Sequence, residues 1–563
     1  MGSSVCTCVE QAKVPAQPMD VKAPPMPEGP MKDGQCRAKF SVTQGRFSLA
    51  VFAATNPGEL SDFYQTSKVV GEGGFGSVRK ATCKATGATR AVKSIARDAV
   101  PDVQVLREEI DIMRLLDHPN IVRLHEAFED KCWVYLVMDL CEGGELFHII
   151  AEATSQHISE SEACFCAEQM FLAVNYLHQN LIMHRDLKPE NFLLATKGPL
   201  HEVTLKLIDF GFAKRFSPGR HSETCCGTLF YAAPEVLNER YDHKVDVWSL
   251  GVVIYLMLVG EVPWGWETDE KKLKKLVRTH KIATDSKPWS RISQDAKSFV
   301  LLLLLRDAKQ RPLAVQALQH SWLQTKNNDK SRNSMTRQDM TNLKAFGRMS
   351  KLKKAAVEVV VSQLPGGEIR HLSELFLSMD TNKDGTVSAA ELKAGLETAG
   401  ASFTKDLDKL FAECDQDGSG ALDYMEFVAA TVAKKTYHQK DVVWAAFRAF
   451  DKDGSGYIDK DAIAKILHED ASVKAALHVE DASSAFDEIF ARVDKNNDNR
   501  IDFDEFFAMM QACERDPRWT SKGSPSRSPK GSARDSPAGT SPRGRESSRA
   551  KRPKKLRTKC LKS

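Results

Sequence analysis

Four twelve-residue segments constrain what this 563-residue chain can fold into more than any other feature. They read DTNKDGTVSAAE (380–391), DQDGSGALDYME (415–426), DKDGSGYIDKDA (451–462) and DKNNDNRIDFDE (494–505). Each carries oxygen-bearing side chains at positions 1, 3, 5 and 9 and a turn residue at position 6. A calcium loop needs this pattern, with a carbonyl at position 7 and a bidentate Glu at position 12, because the ion is hard and takes six to eight oxygens. One acidic turn would mean little, since Asp and Gly are common in turns. Four in order, bracketed by amphipathic stretches such as ELFLSM and LKAGL, specify helix–loop–helix units.

The first loop offers Asp380, Asn382, Asp384, Ser388 and Glu391, with Thr386 at position 7 and Gly385 at the turn. The second offers Asp415, Asp417, Ser419, Asp423 and Glu426, with Ala421 at position 7. The fourth offers Asp494, Asn496, Asp498, Asp502 and Glu505, with Arg500 at position 7. Its turn residue is Asn499, which tolerates the left-handed conformation. The third has Asp451, Asp453, Ser455 and Asp459 with Tyr457 at position 7, but Ala462 stands at position 12 and Asp461 one place early. Three competent sites and one weak or silent site are expected.

Ahead of these loops lies a second grammar. GEGGFGSV (71–78) reads as strand, glycine turn, strand, and is followed by AVK (91–93), HRDLKPEN (184–191), DFG (209–211), APE (233–235), DVWSLG (246–251) and Arg311. A lone glycine motif is weak, but this order and spacing resemble a protein-kinase catalytic domain over about residues 64–323. Phosphoryl transfer asks for positioning and charge neutralisation more than covalent chemistry. Gly71, Gly73 and Gly76 leave the turn's amides open to phosphate, with Glu72, Gly74, Phe75 and Val78 completing the nucleotide cover. The resemblance implies that Lys93 grips the ATP phosphates, held by Glu109 rather than by the adjacent Glu108. It implies Asp186 as the base, Lys188 beside it as in serine/threonine kinases, Asn191 and Asp209 on Mg²⁺, and Met138 behind the adenine. Glu235 and Arg311 would form a buried structural pair, and Glu145 and Glu190 would hold a substrate arginine. Thr224, in the segment between DFG and APE, is a candidate phosphosite with Arg185 as its positive partner; an ordinary solvated threonine is the alternative.

Between the two blocks, LKAFGRMSKLKKAAVEVVVSQL (343–364) places Leu343, Phe346, Met349, Leu352, Ala356, Val360 and Leu364 on one face of a predicted helix whose first half is basic. A kinase joined through such a helix to four EF-hands resembles the calcium-dependent protein kinases of plants and protists over about residues 64–510. The expected architecture is an α+β bilobal kinase domain followed by an all-α calmodulin-like domain of four EF-hands. The expected division is a flexible leader (1–63), kinase domain (64–323), autoinhibitory junction (324–370), EF-hand domain (371–510) and a basic Ser-Pro-rich tail (511–563). The resemblance implies an ATP-, Mg²⁺- and Ca²⁺-dependent serine/threonine kinase, independent of calmodulin, acting in calcium signalling on basic protein substrates. Its junction is expected to hold it inactive at low calcium and to be taken by the opened EF-hands when calcium binds. A pseudokinase calcium sensor or scaffold is the alternative.

Composition adds bounds. With 42% apolar and 27% charged residues the chain can bury large cores. Its longest apolar runs, FVLLLLL and VVIYLMLV, are too short to span a bilayer. The 13 cysteines show neither zinc spacing nor a disulfide framework and read as reduced thiols. Residues 515–563 carry a net charge of +13 and the rest −9. Ser524, Ser528, Ser536 and Ser541 each precede a proline in this tail. MGSSVCTC resembles a myristoylation signal at Gly2, with Cys6 and Cys8 open to palmitate, although position 6 departs from the preferred Ser or Thr. The terminal Cys560-Leu561-Lys562-Ser563 has the outline of a prenylation box with a lysine where an aliphatic residue is expected. These ends suggest a cytoplasmic protein attached to an anionic membrane face, or a nuclear-import run. No aromatic residues interleave the basic run, so nucleic acid is not the expected partner.

Overall fold

The computed structural model describes residues 55–512, except 57, 74–75, 85–86, 101–102, 154–156, 223, 225, 283, 285–286, 325–334, 365, 399–406, 417, 452–454 and 460–491. Gly2, Cys6, Cys8, Gly74, Phe75, Asp417, Asp453, Asp461, Ala462, the Ser-Pro sites and Cys560 therefore lie outside the described residues.

The small lobe is a twisted sheet of β1 (Thr55–Asn56), β2 (Tyr64–Gly73), β3 (Gly76–Cys83), β4 (Thr89–Ala96), β5 (Leu124–Glu129) and β6 (Trp133–Asp139), in the order β1-β5-β6-β4-β3-β2. All neighbours are antiparallel except β1, which runs parallel to β5 with Thr55 opposite Ala127. This corrects the leader placed at 1–63. Residues 55–63 hold β1 and the short helix Leu60–Phe63, and the Phe63 ring packs on Phe128 at 5.5 Å because the sheet edge and its apolar outer face would otherwise stand open.

The large lobe is built on two buried helices. Glu160–Gln179 starts at a capping box in which Ser159 accepts from the Glu162 amide, and its length lies inside the core. Lys244–Val259 contains VVIYLMLV, is buried all round, and ends at Gly260, whose φ of +93° allows its amide to close on the Leu256 carbonyl. No helix among the described residues is long and apolar enough to cross a membrane.

A second core gathers the junction and the EF-hand helices. The single helix predicted over 343–364 is two, Arg337–Gly347 and Lys351–Gln363. Ser350 explains the break: its hydroxyl accepts from the Lys353 amide and starts a new helix. Gly347 ends the first helix where a Cβ would come within 2.9 Å of Leu410. The boundary drawn at 370 also moves, because it falls inside the helix Gly366–Met379 that leads into the first loop. The loops pair through two-residue strands, Val387–Ser388 with Ala421–Leu422 and Ile458–Asp459 with Arg500–Ile501.

Candidate active site and calcium loops

Antiparallel pairing sets Val78 opposite Lys93, and Lys93 opposite Leu136. Gly71 faces Val78, Glu72 faces Ser77 and Gly73 faces Gly76, so β2 and β3 meet in the glycine hairpin. At Gly76 a Cβ would overlap the Ser94 carbonyl, which fixes glycine there. Lys93 Nζ lies 3.1 Å from Glu109 Oε1 and 3.2 Å from Asp209 Oδ1. Glu109 is buried on the inner face of the helix Val103–Leu115, whereas Glu108 is exposed. Burial alone would lower the Lys93 pKa, but the two carboxylates outweigh it and hold the amine above its usual value. Burial pushes Asp209 the other way, yet Lys93 and backbone bonds keep it below the usual carboxylate range. Met138 sits near the end of β6, half-buried against the core.

Asp186 is buried, and both the amide and the hydroxyl of Thr228 donate to its Oδ1, at 2.8 and 2.9 Å. Lys188 Nζ donates to Asp186 Oδ2 at 2.8 Å and to the Thr228 hydroxyl at 3.2 Å. Asn191 Nδ2 donates to the Asp186 carbonyl at 2.8 Å. The loop that carries Asp186 hangs from a residue to which the sequence reading gave no role. Asp246, from DVWSLG, accepts from the amides of His184 and Arg185, each at 2.9 Å, and lies 2.8 Å from His178 Nε2. Burial would raise the Asp246 pKa, but His178 and the backbone bonds hold it low. Only its place in the motif could have signalled it. Thr228 was likewise missed.

Glu235 and Arg311 pair through two contacts, at 2.5 and 3.2 Å, with Arg311 1% exposed. Thr224 is exposed and its carbonyl accepts from the Tyr241 hydroxyl at 2.6 Å. Arg185 is engaged with the Phe212 carbonyl at 2.7 Å and with Tyr241 at 3.3 Å. Glu190 Oε2 is buried without a hydrogen-bond partner among the described residues. Burial first, and the charges of Glu145 and Asp186 with it, push Glu190 up.

In the first calcium loop Asp380 accepts from the amides of Asp384 and Gly385, at 3.1 and 2.9 Å. Glu391 accepts from Thr381, Asn382 and Ser388. No three acidic, His or Cys side chains among the described residues converge at metal distance. The donor set nevertheless fits a hard cation. Burial, with Asp384 and Glu391 adding to it, pushes Asp380 up to about 7, a crowding of carboxylates that a divalent ion would relieve. Asp384, Asn382, Thr386 and Ser388 stand in the same loop, with Gly385 at φ +82°.

The second loop repeats this: Asp415 accepts from Ser419 and Gly420, Glu426 from Gln416 and Asp423, and Ser419 donates to the Ala421 carbonyl. In the fourth, Asn499 takes φ +60° and donates to Asp494, Asn496 accepts from Asp498, Asp498 from Arg500, and Glu505 bonds both Lys495 and Asp502. The third loop differs beyond position 12. Arg448 Nη1 sits 3.1 Å from the fully buried Asp451, while Ser455 donates to the Tyr457 carbonyl as Ser419 does to that of Ala421, and Asp459 lies in the paired strand as Ser388 does. A guanidinium thus stands against the first ligand, in a place held by Leu377 and Ala412 before the first two loops.

A bilobal phosphotransferase fold joined to paired helix–loop–helix units defines a kinase with its own calcium sensor. The chain matches the protein kinase domain over residues 64–323 and the EF-hand domain pair over 369–432 and 440–511. It is 38% identical over 471 residues to calcium-dependent protein kinase 3 of Plasmodium berghei (strain Anka), covering 83% of each chain. It is also 38% identical over 461 residues to calcium-dependent protein kinase 33 of Arabidopsis thaliana, covering 80% of this chain and 85% of that one. The chain belongs to the calcium-dependent protein kinases, and nothing in its site favours the pseudokinase alternative.

Proposed function

We propose that this kinase phosphorylates serine or threonine in basic protein segments when calcium transfers its junction to the EF-hands, without calmodulin. The observation that carries the reading is where the junction lies. Leu343, Phe346, Leu352, Ala356 and Val360 are buried in one core with Met425, Phe427, Phe447, Met509 and Met510 of the EF-hand region. Lys353 and Lys354 go in with them, donating to the Ala512 and Glu413 carbonyls, while Lys344 and Arg348 stay exposed, so part of the basic face belongs to the seat. In the same structure Lys93 is paired with Glu109, the arrangement a working kinase needs.

Bound ATP with Mg²⁺ supplies the γ-phosphoryl group. Lys93 would hold its phosphates, the backbone from Gly71 to Gly76 would cover them, and Asn191 and Asp209 would hold the magnesium. Asp186 would orient the substrate hydroxyl and accept its proton, while Lys188 and Thr228 keep the carboxylate turned. The unpartnered oxygen of Glu190, near Glu145, supports an arginine upstream of the phosphorylated residue, since a guanidinium would relieve a buried carboxylate. Phosphorylation of a basic serine peptide and of its Arg→Ala counterpart, in micromolar calcium and in chelator, tests the reading. Calcium-stimulated transfer favouring the basic peptide is expected. Equal rates with and without calcium would remove the switch.

A further inference from the structure

The helix Tyr424–Thr431 begins inside the second calcium loop and carries that loop's twelfth residue, Glu426. The first amides of any helix lack partners within it. Here the Glu426 amide donates to Asp423 at 2.8 Å, as a capping box requires. The Met425 amide donates instead to Asp117 Oδ2 of the kinase domain, also at 2.8 Å. Asp117 follows the helix Val103–Leu115, which carries Glu109. A carboxylate at a helix N-terminus is favoured by the aligned peptide dipoles as well as by the hydrogen bond.

The surroundings make this a built contact. The Asp117 amide donates to the Tyr176 hydroxyl at 3.0 Å, and the Tyr176 ring stacks on His118. Gly385 of the first calcium loop lies so close over Tyr176 that a Cβ there would come within 2.3 Å of the ring. Asn175 Nδ2 donates to the Lys383 carbonyl in that loop. Beside Met425, Tyr424 is buried, bonds Ser373 at 2.7 Å, and interacts with Lys206, whose amine lies 3.0 Å from Asp139, the residue after Met138.

We propose that Asp117 is a positioning residue that couples the second calcium loop to the kinase. It holds the exit helix in the orientation that presents Glu426, so calcium in 415–426 favours docking and docking tightens calcium in 415–426. The reciprocity is thermodynamic: whatever factor docking adds to calcium affinity, calcium adds to docking. This rests on the calcium switch proposed above. A charge-assisted hydrogen bond of this kind is worth on the order of tenfold or more in an equilibrium. Shared over three calcium sites, a tenfold loss moves half-activation by roughly twofold.

The test uses the full chain as D117A and D117N, each alone and combined with E426Q or E391Q. Calcium binding is read by chelator competition without nucleotide, and peptide phosphorylation is read against free calcium. D117A is expected to weaken calcium binding and to raise half-activating calcium about twofold alone, and about threefold with E391Q, where two sites remain to share the loss. D117N, which keeps an acceptor for the Met425 amide but loses the charge, should fall between D117A and the parent, and it carries the test if D117A does not fold. With E426Q, which removes the twelfth ligand, the Asp117 substitution should add nothing. An unchanged calcium curve, a shift as large in the E426Q background, or added activity at low calcium would overturn the proposal. If the parent itself shows no calcium stimulation, the switch reading fails, and the binding arm still decides whether Asp117 supports the second loop.

Discussion

Arg311 is a single residue on which the base of the large lobe depends. Its guanidinium meets both oxygens of Glu235, the carbonyls of Lys244 and Leu305, and the face of Trp248 at 5.1 Å. Replacing it with Met leaves Glu235 without its counter-charge and is expected to cost ~3–5 kcal/mol, read as earlier melting of the kinase transition in full-length protein. Asp186→Asn should behave in the opposite way. The Thr228 and Asn191 contacts can persist, so melting and calcium binding should stay close to the parent while phosphoryl transfer is lost. Thr224→Ala should keep the calcium-stimulated rate within about twofold, as an exposed residue does. The Tyr241 bond it makes uses its carbonyl, which alanine retains, and Arg185 is already engaged. A tenfold fall in rate would instead make Thr224 a regulatory phosphosite.

At the scale of elements, the third loop shows two defects where its sequence announces one. Ala462 removes the twelfth ligand, and that much is read directly from the twelve-residue pattern. Arg448 is invisible to the pattern because it lies three residues before the loop, on the helix Lys440–Phe450, and reaches Asp451 only once that helix forms. Ala462→Glu is therefore expected to add a weak fourth ion in a calcium titration, and adding Arg448→Ala should tighten it. A titration that already shows four strong ions in the parent would contradict both steps. The same contrast runs through the molecule. Short-range patterns, such as the loops, the glycine hairpin and the HRD and DFG segments, could be read from spacing because each packs its chemistry into a few consecutive residues. What depended on a distant partner could not. The hold of Asp246 on the His184 and Arg185 amides and the pairing of β1 with the sheet edge appear only when the chain is folded, whereas the break at Ser350 is a local cap that the apolar spacing of the junction masked.

For the whole molecule, the uneven charge is the property that the kinase and its calcium sensor leave unexplained. The last 49 residues hold +13 while the remainder sums to −9, and the first residues are MGSSVCTC. A single acyl chain on Gly2 gives only marginal membrane binding, so durable attachment needs a second signal. Basic residues near an anionic leaflet contribute about 1 kcal/mol each, and a polybasic run such as KRPKKLRTK meets that need. Phosphates on Ser524, Ser528, Ser536 and Ser541 would each remove about 1.5–2 charges and loosen the hold. The expectation is reversible attachment to a cytoplasmic membrane face, reduced in part by Gly2→Ala, in part by deleting 543–563, and almost wholly by both. Fractionation at low and high salt separates the contributions, because the electrostatic part is screened and the acyl part is not. If Gly2→Ala protein sediments with membranes as fully as the parent at high salt, acylation is not the anchor. If deleting 543–563 empties a nuclear pool instead of a membrane one, the basic run is an import signal.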